Sequence, residues 1–358
     1  MLDRIRKEMK ENNIDIVFLN SYENNKVGMN LFYATNFSGS SSSILVSQSF
    51  AYFITDFRYQ SSLDNLNKGY EIIIQESGQA MFDVIKDLAV EHNIKTLHID
   101  PNMYYSEALI LESKYNFVLK SFGSLFDECR NVKTEAEVAK MRKACEITDQ
   151  AYSYLLEIAK PGISEIELAK LLERKMVDLG AQSPSFETIL VSGKAGAIPH
   201  GVPSEKTLVK GELVTVDFGC YFENYASDMT RTFAVGKVDE KLEEIYNVVL
   251  KAQLAGIAAV KEGALAKDVD YAARSIIEEA GYGEYFGHGT GHGLGIDVHE
   301  AIRVSKNGTQ VLKAGNVITI EPGIYIPELG GVRIEDDVVV TENGCEILNK
   351  SDKKLISI

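Results

Sequence analysis

Gly211-Glu-Leu-Val-Thr-Val-Asp217-Phe-Gly219-Cys-Tyr221 and Gly315-Asn-Val-Ile-Thr-Ile-Glu321-Pro-Gly323-Ile-Tyr325 are two copies of one pattern. Each runs from a turn glycine through an apolar strand to an acid and a second glycine. A further pair of segments repeats upstream. Lys160-Pro-Gly162 through Gly180 lines up with Lys261-Glu-Gly263 through Gly281, placing Leu168 over Val269 and Met176 over Ile277. Two matches in the same order imply an internal two-fold. Each half reads helix-helix-strand, and the two sets of strands are expected to share one curved sheet with helices on its outer face. The acids at corresponding strand ends, Asp217 and Glu321, then face each other across the axis.

Working outward, Thr134-Glu135-Ala136-Glu137 is a capping box that opens a long helix to about Ala159, broken by Pro161-Gly162. Ser164-Glu165-Ile166-Glu167 reads as a second capping box, for a helix ending at Gly180. The first 125 residues alternate helix and strand. Helices are expected over Leu2–Glu11 and Phe82–Glu91. Strands are expected over Asp15–Leu19, Ser43–Val46, Ala51–Ile54 and Thr96–Ile99. That is an α/β domain, 1–125, ahead of a second domain, 126–358. No His, Asp or Glu cluster with ligand spacing appears in the first.

Composition narrows the function classes. The chain has 358 residues, 45% hydrophobic and 25% charged, with no apolar run long enough to span a bilayer. The N-terminus lacks the apolar core and cleavage site of a signal peptide, so neither secretion nor a membrane partner is expected. The formal net charge of -15, from 52 acidic and 37 basic residues, argues against nucleic acid as a partner. Four scattered cysteines, Cys129, Cys145, Cys220 and Cys345, fit a reducing, cytoplasmic compartment rather than a disulfide framework or a thiolate zinc site.

Four acids sit in apolar contexts: Asp217, Asp228 in Ala-Ser-Asp-Met-Thr, Glu321, and Glu335 in Val-Arg-Ile-Glu-Asp. A buried, unpaired carboxylate costs several kcal/mol, so it protonates or finds a cation. Asp217 and Asp228 flank a turn-like Tyr-Phe-Glu-Asn-Tyr, as Glu321 and Glu335 flank Pro-Glu-Leu-Gly-Gly. Both spacings suit adjacent strands of a hairpin. Arg231 and Arg333 lie close enough to neutralise two acids but not four. The histidines complete the pattern. Pro199-His200-Gly201 is one motif, and Gly287-His288-Gly-Thr-Gly-His292-Gly-Leu-Gly-Ile-Asp-Val-His299-Glu300 is the other. Glycines around His288 and His292 permit close backbone approach. His92 and His98 carry no such signal. Two divalent ions would balance four gathered carboxylates, held about 3.5–4 Å apart as in two-metal hydrolases. Oxygen donors with one imidazole suit Mn²⁺ first, with Co²⁺, Zn²⁺ or Fe²⁺ possible.

Asp217, Asp228, His292, Glu321 and Glu335, in that order and in those motifs, resemble the ligand set of the pita-bread metallopeptidases. Phe37-Ser-Gly-Ser40 and Thr55-Asp-Phe-Arg-Tyr59 resemble the creatinase-type N-terminal domain of their Xaa-Pro branch, so the likeness covers nearly the whole chain. It implies an α+β pita-bread catalytic domain behind the α/β domain. The substrate implied is a proline-containing dipeptide or short peptide, cut by a prolidase or an aminopeptidase P. Carried over residue by residue, Asp217 and Glu335 bridge two metal ions, Asp228 completes one, and His292 with Glu321 completes the other. The ions acidify a water for attack on the scissile carbonyl. Glu321 also shuttles the proton, and His288 and His299 steady the oxyanion and leaving nitrogen. His200 contacts the substrate. Arg333 and Thr230 orient acid ligands from behind. Arg303 matches the position at which some prolidases hold a dipeptide's carboxylate, although Glu300-Ala-Ile-Arg303 lacks the proline found in many of them. The resemblance also implies a homodimer. Two other classes compete: a pita-bread domain that has lost its metals and binds a partner, which the filled ligand positions disfavour, and an unrelated di-metal amidohydrolase, which the N-terminal motifs disfavour.

Overall fold

The computed structural model describes residues 1–21 and 27–358, and the chain forms two compact units, 1–130 and 131–358. The first contains α1 (Leu2–Glu11), β1 (Val17–Ser21), α2 (Val27–Thr35), β2 (Ser42–Val46), β3 (Ala51–Asp56), β4 (Glu71–Gln75), α3 (Met81–Glu91), β5 (Thr96–Ile99), α4 (Tyr105–Ser113), β6 (Val118–Ser121) and α5 (Leu125–Asn131). The strands form one mixed sheet in the order β4-β3-β2-β1-β5-β6. Apolar alternation buries Phe18, Leu45 and Ile54 of that sheet against Ile85 and Leu88 of α3. The two motifs singled out in the sequence meet here. The Ser40 N–H donates to the Tyr59 hydroxyl at 2.9 Å, and Phe37 packs edge-on against Tyr59.

The second unit opens with α6 (Glu135–Ile158) and α7 (Glu165–Asp178). Thr134 and Glu137 make the expected reciprocal cap of α6. At α7 the Ser164 side chain accepts from the Glu167 N–H, but the acid that is buried is Glu165. Its carboxylate accepts from the backbone and hydroxyl of Ser192 and of Ser204, so it anchors a distant loop as well as opening a helix. There follow β7 (Ser183–Pro184), β8 (Ile189–Ser192), β9 (Leu213–Phe218), β10 (Cys220–Phe222), β11 (Tyr225–Ala226) and β12 (Met229–Ala234). The second half repeats the sequence of elements with α8 (Glu240–Ala259), α9 (Ala266–Glu279), β13 (Gly291–Gly293), β14 (Glu300–Val304), β15 (Val317–Ile320), β16 (Gly323–Ile326), β17 (Gly330–Arg333), β18 (Asp336–Thr341) and β19 (Gly344–Ile347).

The internal two-fold is visible in the ladders. The order β12-β9-β8 in one sheet matches β18-β15-β13 in another. The glycines that flagged the repeat explain themselves. Gly162, Gly180 and Gly211 in the first half, and Gly263, Gly281 and Gly315 in the second, all have left-handed φ between +81° and +106°, where a Cβ is strained. The helices pack outside the strands: α6 and α7 bury Ala151, Leu168 and Leu172 against Val214, Val216 and Phe233. The single curved sheet is not continuous, however. The halves have separate ladders and meet through individual bonds, such as the Glu335 N–H donating to the Thr230 carbonyl at 3.1 Å. Pro322 follows Glu321 and has no N–H to extend a ladder. The hairpin spacing also differs between halves. Thr230, not Asp228, pairs with Asp217, whereas Ile320 pairs with Asp336 and the next step along brings Glu321 opposite Glu335. Asp228 lies two residues from that position, on the same face because side chains alternate.

Candidate metal centre

Every acid of the set stands where a strand starts or stops. Asp217 is the penultimate residue of β9, Asp228 precedes β12, Glu321 follows β15, and Glu335 lies between β17 and β18. His292 is the middle residue of the short strand β13. Close packing explains the glycines beside it. A Cβ on Gly291 would lie 1.9 Å from the Thr319 carbonyl oxygen, so only glycine lets β13 lie against β15. These strand ends open on one cavity of about 780 Å³. All five acid and imidazole candidates line it, together with His200, His288, His299, Arg303 and Arg333; Phe186, Ile189 and Val298 give it apolar walls. Thr230 is buried behind it.

The tightest group is Asp228, His292 and Glu335, which each bring one donor atom to within 4.8 Å of the others. Glu321 joins through Oε1, 3.4 Å from His292 Nε2, and Asp228 Oδ2 is 3.6 Å from the same nitrogen. Asp217 is held differently. Arg333 Nη2 donates to its Oδ2 at 2.7 Å, while its buried Oδ1 has no partner among the described residues. Arg333 also donates from Nε to the Thr230 hydroxyl at 2.9 Å, and that hydroxyl donates to Glu335 Oε2 at 2.6 Å. One guanidinium therefore fixes two acids, one directly and one through Thr230.

The electrostatics ask for a cation. Burial, and then the neighbouring carboxylates, hold Asp228 and Glu335 well above the usual carboxylate range. Burial pushes Glu321 up to about 8, with Arg333 opposing and Asp217 adding to the rise. The imidazoles move the other way. Burial lowers His292 to about 3, helped by His299, and lowers His288 to about 4, helped by Arg333. His292 is thus a neutral ring. Its Nδ1 faces the Gly293 carbonyl at 3.1 Å, which only accepts, so the network assigns the proton there. The Nε2 lone pair then points at two carboxyl oxygens, an arrangement that needs either a proton on the acids or a cation between the groups. An orphaned buried oxygen, crowded acids and a lone pair aimed among them fit a divalent metal, and oxygen and nitrogen donors without a thiolate fit a borderline or hard one.

The remaining histidines divide. The His288 Nδ1 donates to the Gly289 carbonyl and its Nε2 accepts from the Tyr325 hydroxyl, both at 2.8 Å, so both ring nitrogens are engaged within the protein. Tyr325 in turn accepts from Arg333 Nη1 at 2.8 Å. His299 and His200 are exposed at the cavity, the His299 ring 4.3 Å from that of His292. Arg303 is exposed on β14, directly paired with His292 across the ladder, and spends one N–H on the Glu300 carbonyl. His92 and His98 lie in the first unit, bonded to the Tyr52 hydroxyl and the Ile16 carbonyl.

Several residues around the site gave no sequence signal of their own. Tyr325 was visible only as the end of the repeat. Asp270 and Arg274, one turn apart in α9, form a buried ion pair at 2.8 Å. Arg274 donates to the carbonyls of Phe286 and His288, and Asp270 accepts from the Thr290 N–H and hydroxyl. Their spacing is that of an ordinary i,i+4 surface pair, so burial alone distinguishes them. Arg231, a candidate partner for the four acids, faces away from them and pairs with Asp336 at 2.7 Å.

Fold and site define a metal-dependent hydrolase. Residues 139–342 match the model of metallopeptidase family M24, and residues 1–132 match that of the creatinase/prolidase N-terminal domain. The chain is 38% identical to a Xaa-Pro dipeptidase of Pyrococcus furiosus, over 99% of both chains. It superposes on a Xaa-Pro dipeptidase from Bacillus anthracis with a TM-score of 0.95 and 40% identity, covering 100% of this chain and 99% of the other. An X-Pro aminopeptidase from Thermotoga maritima gives a TM-score of 0.92 and 33% identity, covering 98% and 100%. The chain belongs to metallopeptidase family M24.

Proposed function

We propose that this protein is an Xaa-Pro dipeptidase that uses two divalent ions, Mn²⁺ in the native enzyme, held by Asp217, Asp228, His292, Glu321 and Glu335. The observation that carries it is the convergence of those five side chains on one cavity whose rim holds an exposed guanidinium, Arg303, beside His292. When bound, the ions supply Lewis acidity and an activated water. The chain's own residues do the rest. Glu321 takes a proton at its carboxylate and returns it to the leaving nitrogen. His299 and His200 contact the substrate from the cavity wall, and His288 does so by exchanging its Tyr325 bond for one to the substrate. Arg333 and Thr230 keep Asp217 and Glu335 in place. Arg303 captures the carboxylate of a bound dipeptide with its outward donors. Phe186, Ile189 and Val298 offer the apolar surface that a proline ring needs, and the tertiary amide needs no acceptor for a missing N–H.

The alternative within the family is an aminopeptidase acting on longer Xaa-Pro peptides, which the likeness to the Thermotoga maritima enzyme favours. Turnover of an Xaa-Pro dipeptide and of a longer Xaa-Pro peptide, each with added Mn²⁺ or Co²⁺, separates the two. Dipeptide cleavage at the higher kcat/KM is expected, falling on Arg303→Ala. Cleavage of the longer peptide alone replaces dipeptidase with aminopeptidase. We also infer a homodimer working in the cytoplasm, in keeping with four cysteines that are all free. Light scattering checks the first and cell fractionation the second.

A further inference from the structure

The segment Asn349–Ile358 lies beyond the residues that match the M24 model, yet it touches the main chain beneath the metal cluster. Asn349 Oδ1 accepts from the Asp337 N–H at 2.7 Å, and the Ser351 carbonyl accepts from Arg231 Nη2 at 3.0 Å. The Lys353 ammonium donates to Asp336 Oδ2. The segment is pinned in its own right. Asp149 of α6 accepts from the N–H groups of Lys350 and Ser351 and from the Ser351 hydroxyl, and the Ile358 N–H donates to the Ala234 carbonyl.

Asp336 is wholly buried and immediately follows Glu335. It receives Arg231 on Oδ1, and Gln253 and Lys353 on Oδ2. Arg231, itself 1% exposed, donates from Nη1 to the carbonyls of Thr230 and Glu335. One guanidinium thus ties together the main chains of the two strand ends that bring Thr230 and Glu335 to the site. Its orientation depends on Asp336, and Asp336 is shared with a lysine from a segment more than a dozen residues further along.

We propose that Lys353 is a positioning residue for the metal centre: through Asp336 and Arg231 it fixes the backbone on which Glu335 and Thr230 are presented. This rests on the assignment of Asp228, His292 and Glu335 as metal ligands. The arrangement makes Asn349–Ile358 a strap whose contacts set ligand geometry rather than a passive trailing end. Partners outside the ligand shell typically change metal affinity by about 10- to 100-fold.

The test is direct Co²⁺ binding to the full chain, followed by titration calorimetry and by the visible absorption of the bound ion. Lys353→Met keeps the aliphatic stem and removes the charge. It is expected to weaken Co²⁺ binding about tenfold and to alter the absorption bands, with the far-UV circular dichroism unchanged. Lys353→Arg is expected to recover most of the affinity. Asn349→Ala, which frees the Asp337 amide, is expected to shift affinity in the same direction by less. Wild-type affinity and bands in Lys353→Met overturn the proposal, whatever happens to its melting temperature. So does an equal loss in Lys353→Met and Lys353→Arg, which would mark a packing role only. If Lys353→Met does not fold, Lys353→Gln, which also removes the charge at Asp336, carries the test, and unchanged Co²⁺ binding there overturns it. A wild-type chain that binds no Co²⁺ or Mn²⁺ removes the ligand assignment and this inference together; normal binding in the wild type and in Lys353→Met removes the inference alone.

Discussion

In the first half of the 131–358 unit, α7 opens with Glu165; at the corresponding place in the second half, α9 opens with Ala266. Glu165 is buried and ties down Ser192 and Ser204, which bracket the loop carrying His200. The Ala266 side chain is a methyl group with no polar atom to do the same. One turn further along α9, Asp270 and Arg274 do the equivalent work, holding Phe286, His288 and Thr290. The matching positions in α7 are Ala169 and Glu173. Each half therefore anchors a histidine loop on its second helix, with unlike residues. The apolar spacing and left-handed glycines are the same because the backbone path is the same. The polar anchors differ because a buried polar group needs only some local partner, not a particular one. Two arginines close to the centre also cross-link the halves. Arg333 of the second half reaches Asp217 of the first on the cavity side, and Arg231 of the first reaches Asp336 of the second on the far side.

The most severe way to break this pairing of halves is to remove a first-half acid from the shared centre. Asp228→Asn should lower kcat/KM by at least about 10³-fold, roughly 4 kcal/mol of transition-state stabilisation, with an unchanged circular dichroism spectrum. Full turnover by that variant would mean that the second half suffices, and the two-half metal site would have to be abandoned. Cutting the cavity-side cross-link comes next. Arg333→Lys cannot reach Asp217, Thr230 and Tyr325 at once, so a loss of about 10²-fold in kcat/KM is expected. A variant within twofold of wild type would show that the guanidinium geometry does not matter.

The two helix anchors can be weighed against each other by urea denaturation. Asp270→Asn leaves a buried Arg274 without its ion and should cost about 3 kcal/mol. Glu165→Gln keeps one oxygen as an acceptor for the serines and should cost about 1–2 kcal/mol. The reverse order would contradict the division of labour drawn between α7 and α9. A last expected effect is a pH dependence of the metal-free protein. Folded-state values for Asp228, Glu321 and Glu335 are raised, so their contribution to stability is fully present below the ordinary values, 3.8 for the aspartate and 4.5 for the glutamates. It is lost as pH rises through about 8, where Glu321 ionises in the fold. Below about pH 6.5 the lowered histidines His288 and His292 oppose the acids, so melting temperature should fall between pH 7 and pH 9 after chelation, and added Mn²⁺ should flatten the profile. A metal-free protein that grows more stable over that range would show that the acids are not crowded as described.

Much of the architecture was legible residue by residue. The helix over Leu2–Glu11, the strand over Thr96–Ile99 and the reciprocal cap at Thr134 and Glu137 coincide with expectation, because periodicity and capping are local. The ends of β1 and β3 moved by two residues, since strand limits depend on neighbours. At the site, the sequence indicated which side chains gather in one cavity, through residue type and repeat position. It did not indicate the offset of Asp228 against Glu335, which is a matter of register, nor Asp336 and Asp337. Those two acids follow Glu335 directly and are fully buried, but alternation and the neighbouring Arg231, Cys145 and Lys353 give them structural partners.

By itself the sequence determined the duplication, the left-handed turns and the donor chemistry, because each is written in spacing or residue type. Only the tertiary structure decided which acids face the cavity, which arginine guards them, and which histidine has its nitrogens already engaged. Those outcomes depend on groups a hundred or more residues apart, as with Arg333 and Asp217 or Thr230 and Glu335, brought within 3 Å by strand register. Register is a property of paired strands, and no single stretch of chain contains it.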